Sequence, residues 1–153
     1  LGEPFPLESE RGYHMVLPNP GFETSRPISM GERKFMCTTM ESGLRLAGTV
    51  EFAGLKSAPN WGRAEKLLTH AKDIFKDVDT TEALPWMGNR PATPDSLPVI
   101  SRSRRHPNVV YGFGHGHLGL TGGAATGKHV TALIAGQSPE IDLTPFSIGR
   151  FAR

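Results

Sequence analysis

The sequence predicts an α+β protein, and three features of the 153-residue chain indicate this class. Two strand-like runs joined by a short turn predict an antiparallel hairpin between residues 33 and 54. An amphipathic segment from Asn60 to about Phe75 predicts a helix. A strand, a glycine-rich loop and a second helix follow near the C-terminal end. Because antiparallel strands precede the helices instead of alternating with them, the order favours an α+β architecture with one α/β-like unit at its end.

The hairpin is predicted from the runs "RKFMCTTM" and "LRLAGTVEFAG", which "ESG" connects. In the second run polar residues alternate with apolar ones, which is typical of a half-buried antiparallel strand. Its apolar face comprises Leu44, Leu46, Gly48, Val50 and Phe52. Gly43 suits the tight connection. An earlier run, "GYHMVL" from Gly12 to Leu17, predicts a further short strand.

The first helix is predicted from its apolar face, with Asn60 as the N-cap. Its apolar residues are Trp61, Ala64, Leu67, Leu68, Ala71, Ile74 and Phe75, and core packing accounts for them. The proline-rich segment from Ala83 to Ser101 predicts short extended pieces, since proline cannot donate to a central ladder. The second helix is predicted from about Thr121 to Ala135, with Gly136 as its C-terminal stop.

Composition excludes several classes of protein. The net charge is +2, and the densest basic run, "SRSRRH" from Ser101 to His106, lacks interleaved aromatics, so we expect a solvated turn and no nucleic-acid partner. The single cysteine, Cys37, excludes an internal disulfide and predicts a small core residue in a reducing compartment. No apolar stretch approaches the ~20 residues of a membrane helix. We therefore expect a cytoplasmic location, with peripheral attachment to the inner membrane as an alternative.

The loop from Tyr111 to Lys128, "YGFGHGHLGLTGGAATGK", holds seven glycines between a strand-like and a helix-like run. The first N–H groups of a helix have no intrahelical partner, and the helix dipole adds partial positive charge there. Glycines allow a ligand to approach such a backbone closely. The pattern therefore predicts a cradle for an anion or a cofactor.

Three narrower interpretations of this loop are disfavoured. The phosphate-binding loop of nucleotide hydrolases would need a hydroxyl where His129 stands. Gly114, Gly116 and Gly119 fit the dinucleotide spacing G-x-G-x-x-G, but too little chain follows for a second parallel strand with a ribose-binding acid.

A metal site is the third interpretation, because His115 and His117 lie two residues apart. His106 and His129 are near in sequence, but no carboxylate or cysteine flanks the loop histidines. We therefore predict no metal site.

The segments "WMGNRPATPDSLPVI", "NVVYGFGHGHLGLTGGAATGKHVTALIAG" and "DLTPFSIGRF" resemble the C-terminal part of the flavin-dependent D-amino acid oxidase and dehydrogenase family, and the bacterial D-amino acid dehydrogenases in particular. Upstream, "ERGYHMVLPNPG" and "GLRLAGTVEFAGL" resemble that family's substrate domain. The resemblance implies a flavoprotein oxidoreductase of amino-acid catabolism that uses FAD. It would oxidise a D-amino acid to an imino acid by hydride transfer, and water would then yield the 2-oxo acid.

The resemblance also implies a division of the chain. Residues 1–100 would form mainly the antiparallel substrate-binding domain, and residues 101–153 would be the C-terminal segment of the FAD-binding domain. The N-terminal Rossmann half would be absent. We therefore expect this fragment alone to bind flavin weakly and to be inactive.

The resemblance assigns roles to particular residues. Arg90 in "GNRPATPD" would pair with the substrate carboxylate through its guanidinium fork. Tyr13 and His14 would line the substrate pocket, although a core or edge-strand role is equally open for them. The flavin would contact the loop residues Gly114, His115, Gly116, His117, Leu118, Gly119, Leu120 and Thr121. No catalytic general base is assigned.

The implied partners are a D-amino acid, the missing Rossmann half, an electron acceptor that is either oxygen or a quinone, and a second copy of the chain in a homo-oligomer. One alternative from another class stays open at this point. The chain would then be a non-catalytic ligand-binding or assembly module whose glycine-rich loop binds an anion.

Overall fold

The structure, a computed structural model, describes residues 1–152, and these fall into two compact units. We call Arg11–Asn89 the central unit. We call Leu1–Glu10 together with the chain from Arg90 onward the terminal unit.

A five-stranded sheet with most of its residues in the central unit has the strand order β2-β3-β4-β1-β5. The strands are β1 (Glu8–Leu17), β2 (Ile28–Met30), β3 (Phe35–Met40), β4 (Gly43–Phe52) and β5 (Leu84–Ala92). The predicted hairpin is confirmed, because β3 and β4 pair antiparallel and Met40 lies opposite Gly43 across a two-residue turn. Gly43 has a φ of +115°, and a Cβ there would collide with the carbonyl oxygen of Leu17, so glycine is required.

The core of the central unit lies between this sheet and helix α1 (Gly62–Ile74). Buried residues recur every second position on the strands and every three or four positions on the helix, as each geometry requires. They are Tyr13, Met15, Leu17, Phe35, Cys37, Leu44, Leu46, Ala64, Leu67 and Ala71. The core role predicted for Cys37 is confirmed, and burial raises the pKa of its thiol, which disfavours the reactive thiolate.

The N-cap predicted for α1 is wrong. The cap position is Trp61, and no side chain caps the helix. Asn60 lies one residue earlier, where its carbonyl accepts the N–H of Arg63 at 3.1 Å and its own N–H donates to the Tyr13 hydroxyl at 2.9 Å. A contact between residues 47 positions apart therefore sets the start of this helix.

Arg11 is buried in the central unit, with 1% of its surface exposed. Its Nε donates to the carbonyl of Gly54 at 2.8 Å, and its Nη2 donates to that of Ser57 at 2.7 Å. Its Nη1 lies 3.4 Å from Glu51 Oε2. The guanidinium therefore fixes the loop that connects β4 to α1.

The terminal unit contains an antiparallel hairpin of β6 (Val99–Arg102) and β7 (Val110–Phe113), against which helix α2 (Gly119–Ile134) packs. One 3-10 turn, Gly116–Leu118, precedes α2, and another spans Thr144–Phe146. Gly136 has a φ of +70°, which confirms it as the predicted stop of the helix.

The proline-rich segment forms a longer strand than its sequence predicts. β5 runs over nine residues and includes Pro85 and Pro91. The sheet order explains this, because β5 lies at one edge, where a missing N–H donor is tolerated.

The C-terminal segment is held by Arg150 in the terminal unit. Its Nε donates to Asp95 Oδ2 at 2.8 Å and its Nη2 donates to Asp95 Oδ1 at 3.0 Å, a bidentate ion pair. The same guanidinium lies 4.8 Å from the centre of the Phe5 ring. These contacts bring the start and the end of the terminal unit together.

Candidate functional site

The glycine loop begins where β7 ends, and Gly114 fixes its direction. Gly114 is buried with a φ of +78°. A Cβ at this position would lie 2.7 Å from Thr93 Cγ2 and 3.6 Å from Leu7 Cδ2, so a larger residue would clash. Gly116 also has a positive φ, +49°, but a Cβ there would meet nothing within 4 Å. The first glycine therefore serves packing, and the second leaves its backbone open to a ligand.

The loop enters α2 without a side-chain cap. The N–H of Leu118 donates to the carbonyl of His115 at 2.9 Å within the 3-10 turn. No side chain caps Leu118, the N-cap of α2, and the first turn of that helix holds no acidic residue. Leu120 is 99% exposed and Thr121 is exposed as well. The positive end of the helix is therefore available to an anionic or electron-rich group.

The two loop histidines are each tied to a different element of the terminal unit. His115 Nε2 and Thr126 Oγ1 are hydrogen-bonded at 2.8 Å, which joins the loop to α2. His117 Nδ1 lies 3.1 Å from Glu10 Oε2, which joins the loop to β1. Within residues 1–152, no group of three or more His, Cys, Asp or Glu side chains is arranged to hold a metal ion.

Arg90 lies on β5 in the terminal unit, the same unit as the glycine loop. Ala92, two residues further along, forms an antiparallel bridge with His115, and residues two apart on a strand share a face. The side chain of Arg90 is half-buried, and its Nη1 is buried with no hydrogen-bond partner among the described residues. An unpaired buried donor of a charged group is costly, so this nitrogen is suited to an incoming acceptor.

Tyr13 lies in the central unit, where its hydroxyl is already occupied. It donates to Glu51 Oε2 at 2.5 Å and accepts the N–H of Asn60 at 2.9 Å. The hydrogen bond from Tyr13, followed by the one from Arg11, holds the pKa of Glu51 below its ordinary value. With 1% of its surface exposed, Tyr13 has contacts that favour the core role left open above. Its place in a substrate pocket stays a prediction.

His14 also lies in the central unit and is half-buried. Its ring stacks on that of Trp86, with the centroids 4.6 Å apart and the planes 16° from parallel. Trp86 is 50% exposed, so the stacked pair presents an aromatic surface to solvent. The assignment of His14 to substrate stays a prediction.

Thr93, Leu7 and Glu10 shape the loop, and the sequence interpretation missed them. Thr93 and Leu7 restrict the space at Gly114, and Glu10 holds His117. Leu7 and Glu10 lie about a hundred residues before the loop, so no local pattern indicates these contacts. The isolated bridge from Ala92 to His115 is equally non-local.

Comparison with known proteins now identifies the family. The model of the DAO family, described as FAD dependent oxidoreductase, matches residues 1–133. The chain belongs to this family. It is 46% identical over 155 residues to a D-amino-acid oxidase of Bradyrhizobium diazoefficiens, covering 99% of this chain and 37% of the relative. It is 34% identical to a D-amino acid dehydrogenase of Methylobacterium radiotolerans, again over 99% of this chain and 37% of the relative. The chain thus spans about a third of the length of these DAO relatives.

Solved structures support the same fold. Glycine oxidase from Geobacillus kaustophilus superposes with a TM-score of 0.79 at 20% identity, covering 98% of this chain and 41% of that one. Iminodiacetate oxidase from Chelativorans sp. gives a TM-score of 0.75 at 23% identity, covering 96% and 41%. The α+β class predicted from the sequence is confirmed, as is its resemblance to the D-amino acid oxidases and dehydrogenases.

The residues of the loop fit an FAD cofactor on three observations. The helix N-terminus has no cap, the backbone at Gly116 is open, and a Cβ at Gly123 would likewise meet nothing within 4 Å. These features present an uncapped helix N-terminus and unobstructed backbone to a planar ligand.

Proposed function

We propose that this chain supplies the carboxylate-binding arginine and one flavin-binding loop of an FAD-dependent enzyme that oxidises D-amino acids to imino acids. The family and the names of the D-amino-acid oxidase and dehydrogenase relatives support the reaction class. The unpaired, buried Nη1 of Arg90 is the observation that carries the assignment of a substrate group to this chain.

Arg90 is suited to anchor the substrate carboxylate. A guanidinium binds a carboxylate through two parallel charge-assisted hydrogen bonds, which fix orientation as well as position. The other buried nitrogens without a hydrogen bond among the described residues are the Nε atoms of Arg45 and Arg63, and that of Arg63 lies 3.9 Å from Glu51 Oε1. The Nη1 of Arg90 is terminal, and the strand that carries it is bridged to the glycine loop two residues later. A carboxylate held there would position the rest of the amino acid relative to that loop.

The cofactor residues of this proposal are Gly114 to Thr121. When bound, FAD supplies the acceptor for the hydride that leaves the substrate α-carbon. The chain contributes the first N–H groups of α2, from Gly119 to Thr121, and the positive end of that helix, which stabilise negative charge on an electron-rich ring edge. Gly116 keeps the approach to these groups clear.

No general base is required of this chain if the substrate amine binds in its neutral form. The imino product then hydrolyses in water to the 2-oxo acid. We propose oxygen and a quinone as the alternative electron acceptors, because one relative is named an oxidase and others are named dehydrogenases. We propose peripheral attachment to the inner membrane only if the electron acceptor is a quinone. A homo-oligomer is compatible with either acceptor.

Within residues 1–152, neither helix combines the length and the apolarity that crossing a lipid bilayer requires.

We propose that residues 1–100 serve mainly the substrate and residues 101–153 mainly the flavin.

A chimera tests the proposed reaction. The 155-residue segment of the Bradyrhizobium oxidase that aligns with this chain is replaced by this chain, which is 46% identical to it. We expect the purified chimera to retain FAD and to consume oxygen or reduce a dye with D-amino acids but not with their L enantiomers. A folded chimera that binds FAD but oxidises neither enantiomer would refute the assignment of substrate residues to this chain.

Titration of FAD into the chain alone tests the extent of the cofactor site. We expect weak binding or none, because the proposed contacts cover one loop and one helix end. Stoichiometric, tight binding by the chain alone would show that it holds a complete flavin site and would refute this expectation.

A further inference from the structure

We propose that the terminal unit contains a binding site for a small organic oxyanion, formed by residues that the flavin and substrate assignments do not use. The basic run from Ser101 to His106 supplies two arginines to the wall of a cavity of about 350 Å³. Residues 2–4, 148, 149, 151 and 152 form the other walls. The cavity volume lies within the range of small-ligand sites.

Each of the two arginine side chains of this cavity lies against a glycine. A Cβ at Gly149 would lie 2.6 Å from Nη1 of Arg104, and a Cβ at Gly2 would lie 2.7 Å from Nη1 of Arg105. Each guanidinium therefore lies directly on a glycine backbone, and both arginine side chains are exposed to solvent at the cavity wall.

Neither guanidinium is neutralised by a close partner. Over residues 1–152, the side chains of Arg104 and Arg105 form no hydrogen bond and no ion pair within 4.0 Å. Two arginines that line one cavity and keep their donors free can bind the oxygens of a carboxylate or a phosphate.

The acidic residue that lines the cavity, Glu3, is committed elsewhere. Its carboxylate accepts hydrogen bonds from the Ser103 hydroxyl, from the N–H of Arg104 at 2.8 Å and from the Tyr111 hydroxyl at 2.9 Å. The bond from Ser103 contributes most to lowering the pKa of Glu3, followed by the other donors and the charge of Arg104. Because both of its carboxylate oxygens already accept hydrogen bonds, Glu3 has little capacity left to pair with the arginine guanidinium groups of the cavity.

The remaining wall is apolar and includes Ile148 and Phe151. Phe151 is held by an edge-to-face contact with Phe5, with the ring centroids 5.4 Å apart. A ligand that satisfies both walls has an anionic head and an aliphatic or aromatic body. The shared chemistry is therefore that of an organic phosphate or an organic carboxylate.

Binding of three probes to the purified chain tests this site. Phenyl phosphate carries both the anionic group and an aromatic ring. Inorganic phosphate carries the anionic group alone, and phenol carries the ring without the anionic group. In calorimetric titrations at low ionic strength we expect phenyl phosphate to bind most tightly, phosphate more weakly and phenol not at all. Hexanoate in a parallel titration distinguishes a carboxylate-preferring site from a phosphate-preferring one.

Substitutions separate the site from general charge effects. We expect Arg104→Gln and Arg105→Gln each to weaken phenyl phosphate by roughly three- to tenfold, since a charge-assisted hydrogen bond is lost. Arg26→Gln, on an exposed residue of the central unit, removes the same charge and is expected to change nothing. Gly149→Ala keeps every charge but displaces Arg104, so it is expected to weaken binding as well.

Three results would each overturn the proposal: no binding of phenyl phosphate to the unsubstituted chain, equal binding of phenol and phenyl phosphate, or an Arg104/Arg105 double variant that binds as the unsubstituted chain does. Because the test uses neither FAD nor an amino acid, its outcome does not depend on the proposed oxidase reaction.

Discussion

Arg11 of the central unit and Arg90 of the terminal unit differ in how their guanidinium nitrogens are paired. In the central unit, Arg11 is buried and donates to carbonyls of the loop after β4, with Glu51 nearby. In the terminal unit, Arg90 keeps a buried nitrogen unpaired, and Arg104 and Arg105 line a cavity. A guanidinium whose donors are all used contributes to stability alone, whereas one with a donor left over is available for a ligand. The difference predicts where substitutions change folding and where they change binding.

The two α-helices differ in how much of their apolar surface is buried. Helix α1 buries Ala64, Leu67 and Ala71, whereas α2 buries His129 alone and exposes Leu120 and Ile134 to 99% and 66%. Helix α1 therefore belongs to a packed core, whereas α2 leaves large apolar side chains exposed, as the central unit also does at Phe52 and Leu55.

The largest effect on stability is expected from Arg11→Met. This change leaves the carbonyls of Gly54 and Ser57 without their buried donor and removes the charge beside Glu51. We expect the free energy of unfolding to fall by about 3–5 kcal/mol, which urea denaturation measures. Arg26→Met on an exposed site is the control, with an expected change within about 0.5 kcal/mol. A loss below about 1 kcal/mol for Arg11→Met would mean that the loop does not depend on this guanidinium.

Arg90→Met is expected to have the opposite profile. Stability of the chain changes by less than about 1 kcal/mol, because its Nη1 has no protein partner among the described residues. In the oxidase chimera, kcat/KM for D-amino acids falls by about 100-fold, equivalent to roughly 2–3 kcal/mol of lost charge-assisted hydrogen bonding. Arg90→Lys keeps the charge without the fork and is expected to recover part of the loss. Equal losses of stability for Arg11→Met and Arg90→Met would remove the contrast between these two arginines.

Local patterns in the sequence were sufficient for much of the fold. Alternation of polar and apolar residues located β3 and β4, a single apolar face located α1, and Gly136 marked the end of α2. In each case the information lies within one element, because strand and helix periodicity are local properties. The resemblance to the D-amino acid oxidases supplied Arg90, whose lone position in a proline-rich segment carries no periodic signal.

Contacts between distant residues account for what the sequence did not indicate. The Tyr13 hydroxyl holds the N–H of Asn60, so the expected N-cap residue lies outside the helix. Burial of Arg11 depends on carbonyls more than 40 residues away. Pairing of Glu10 with His117 depends on the tertiary fold in the same way. A single sequence cannot show which distant donor meets which acceptor, although it shows that each exists.

A pH-dependent contribution is expected from the Asp95–Arg150 pair of the terminal unit. The Arg150 side chain, followed by the N–H of Leu97 and the Thr93 side chain, lowers the pKa of Asp95 from 3.8 to about 2. Since the folded pKa lies below the unfolded one, the stabilisation is present above about pH 4 and is lost as the pH falls towards 2. The Asp95 side chain is 31% exposed, so screening reduces the effect to about 1–2 kcal/mol.

Urea unfolding of Asp95→Asn at pH 7, 4 and 2.5 measures this contribution. We expect the variant to be less stable than the unsubstituted chain at pH 7, and the gap to shrink to roughly a third of its pH 7 value at pH 2.5. Glu23→Gln on an exposed site controls for the loss of one carboxyl group. A gap between Asp95→Asn and the unsubstituted chain that stays constant from pH 7 to 2.5 would show that the ion pair does not titrate in this range.

The smallest effect is expected from Glu10→Gln, and it is expected to be confined to the glycine loop. His117 is 52% exposed and Glu10 is 15% exposed, so their contact contributes at most about 1 kcal/mol. The loop has few other restraints at this point, because Gly116 has open space around it. Hydrogen exchange at the amides of Gly116 to Gly119 should therefore accelerate a few-fold while exchange in α1 is unchanged. Glu8→Gln, two residues earlier on the same strand, is the matched control. If both variants leave loop exchange unchanged, the backbone alone holds the loop open, and Glu10 has no part in presenting it.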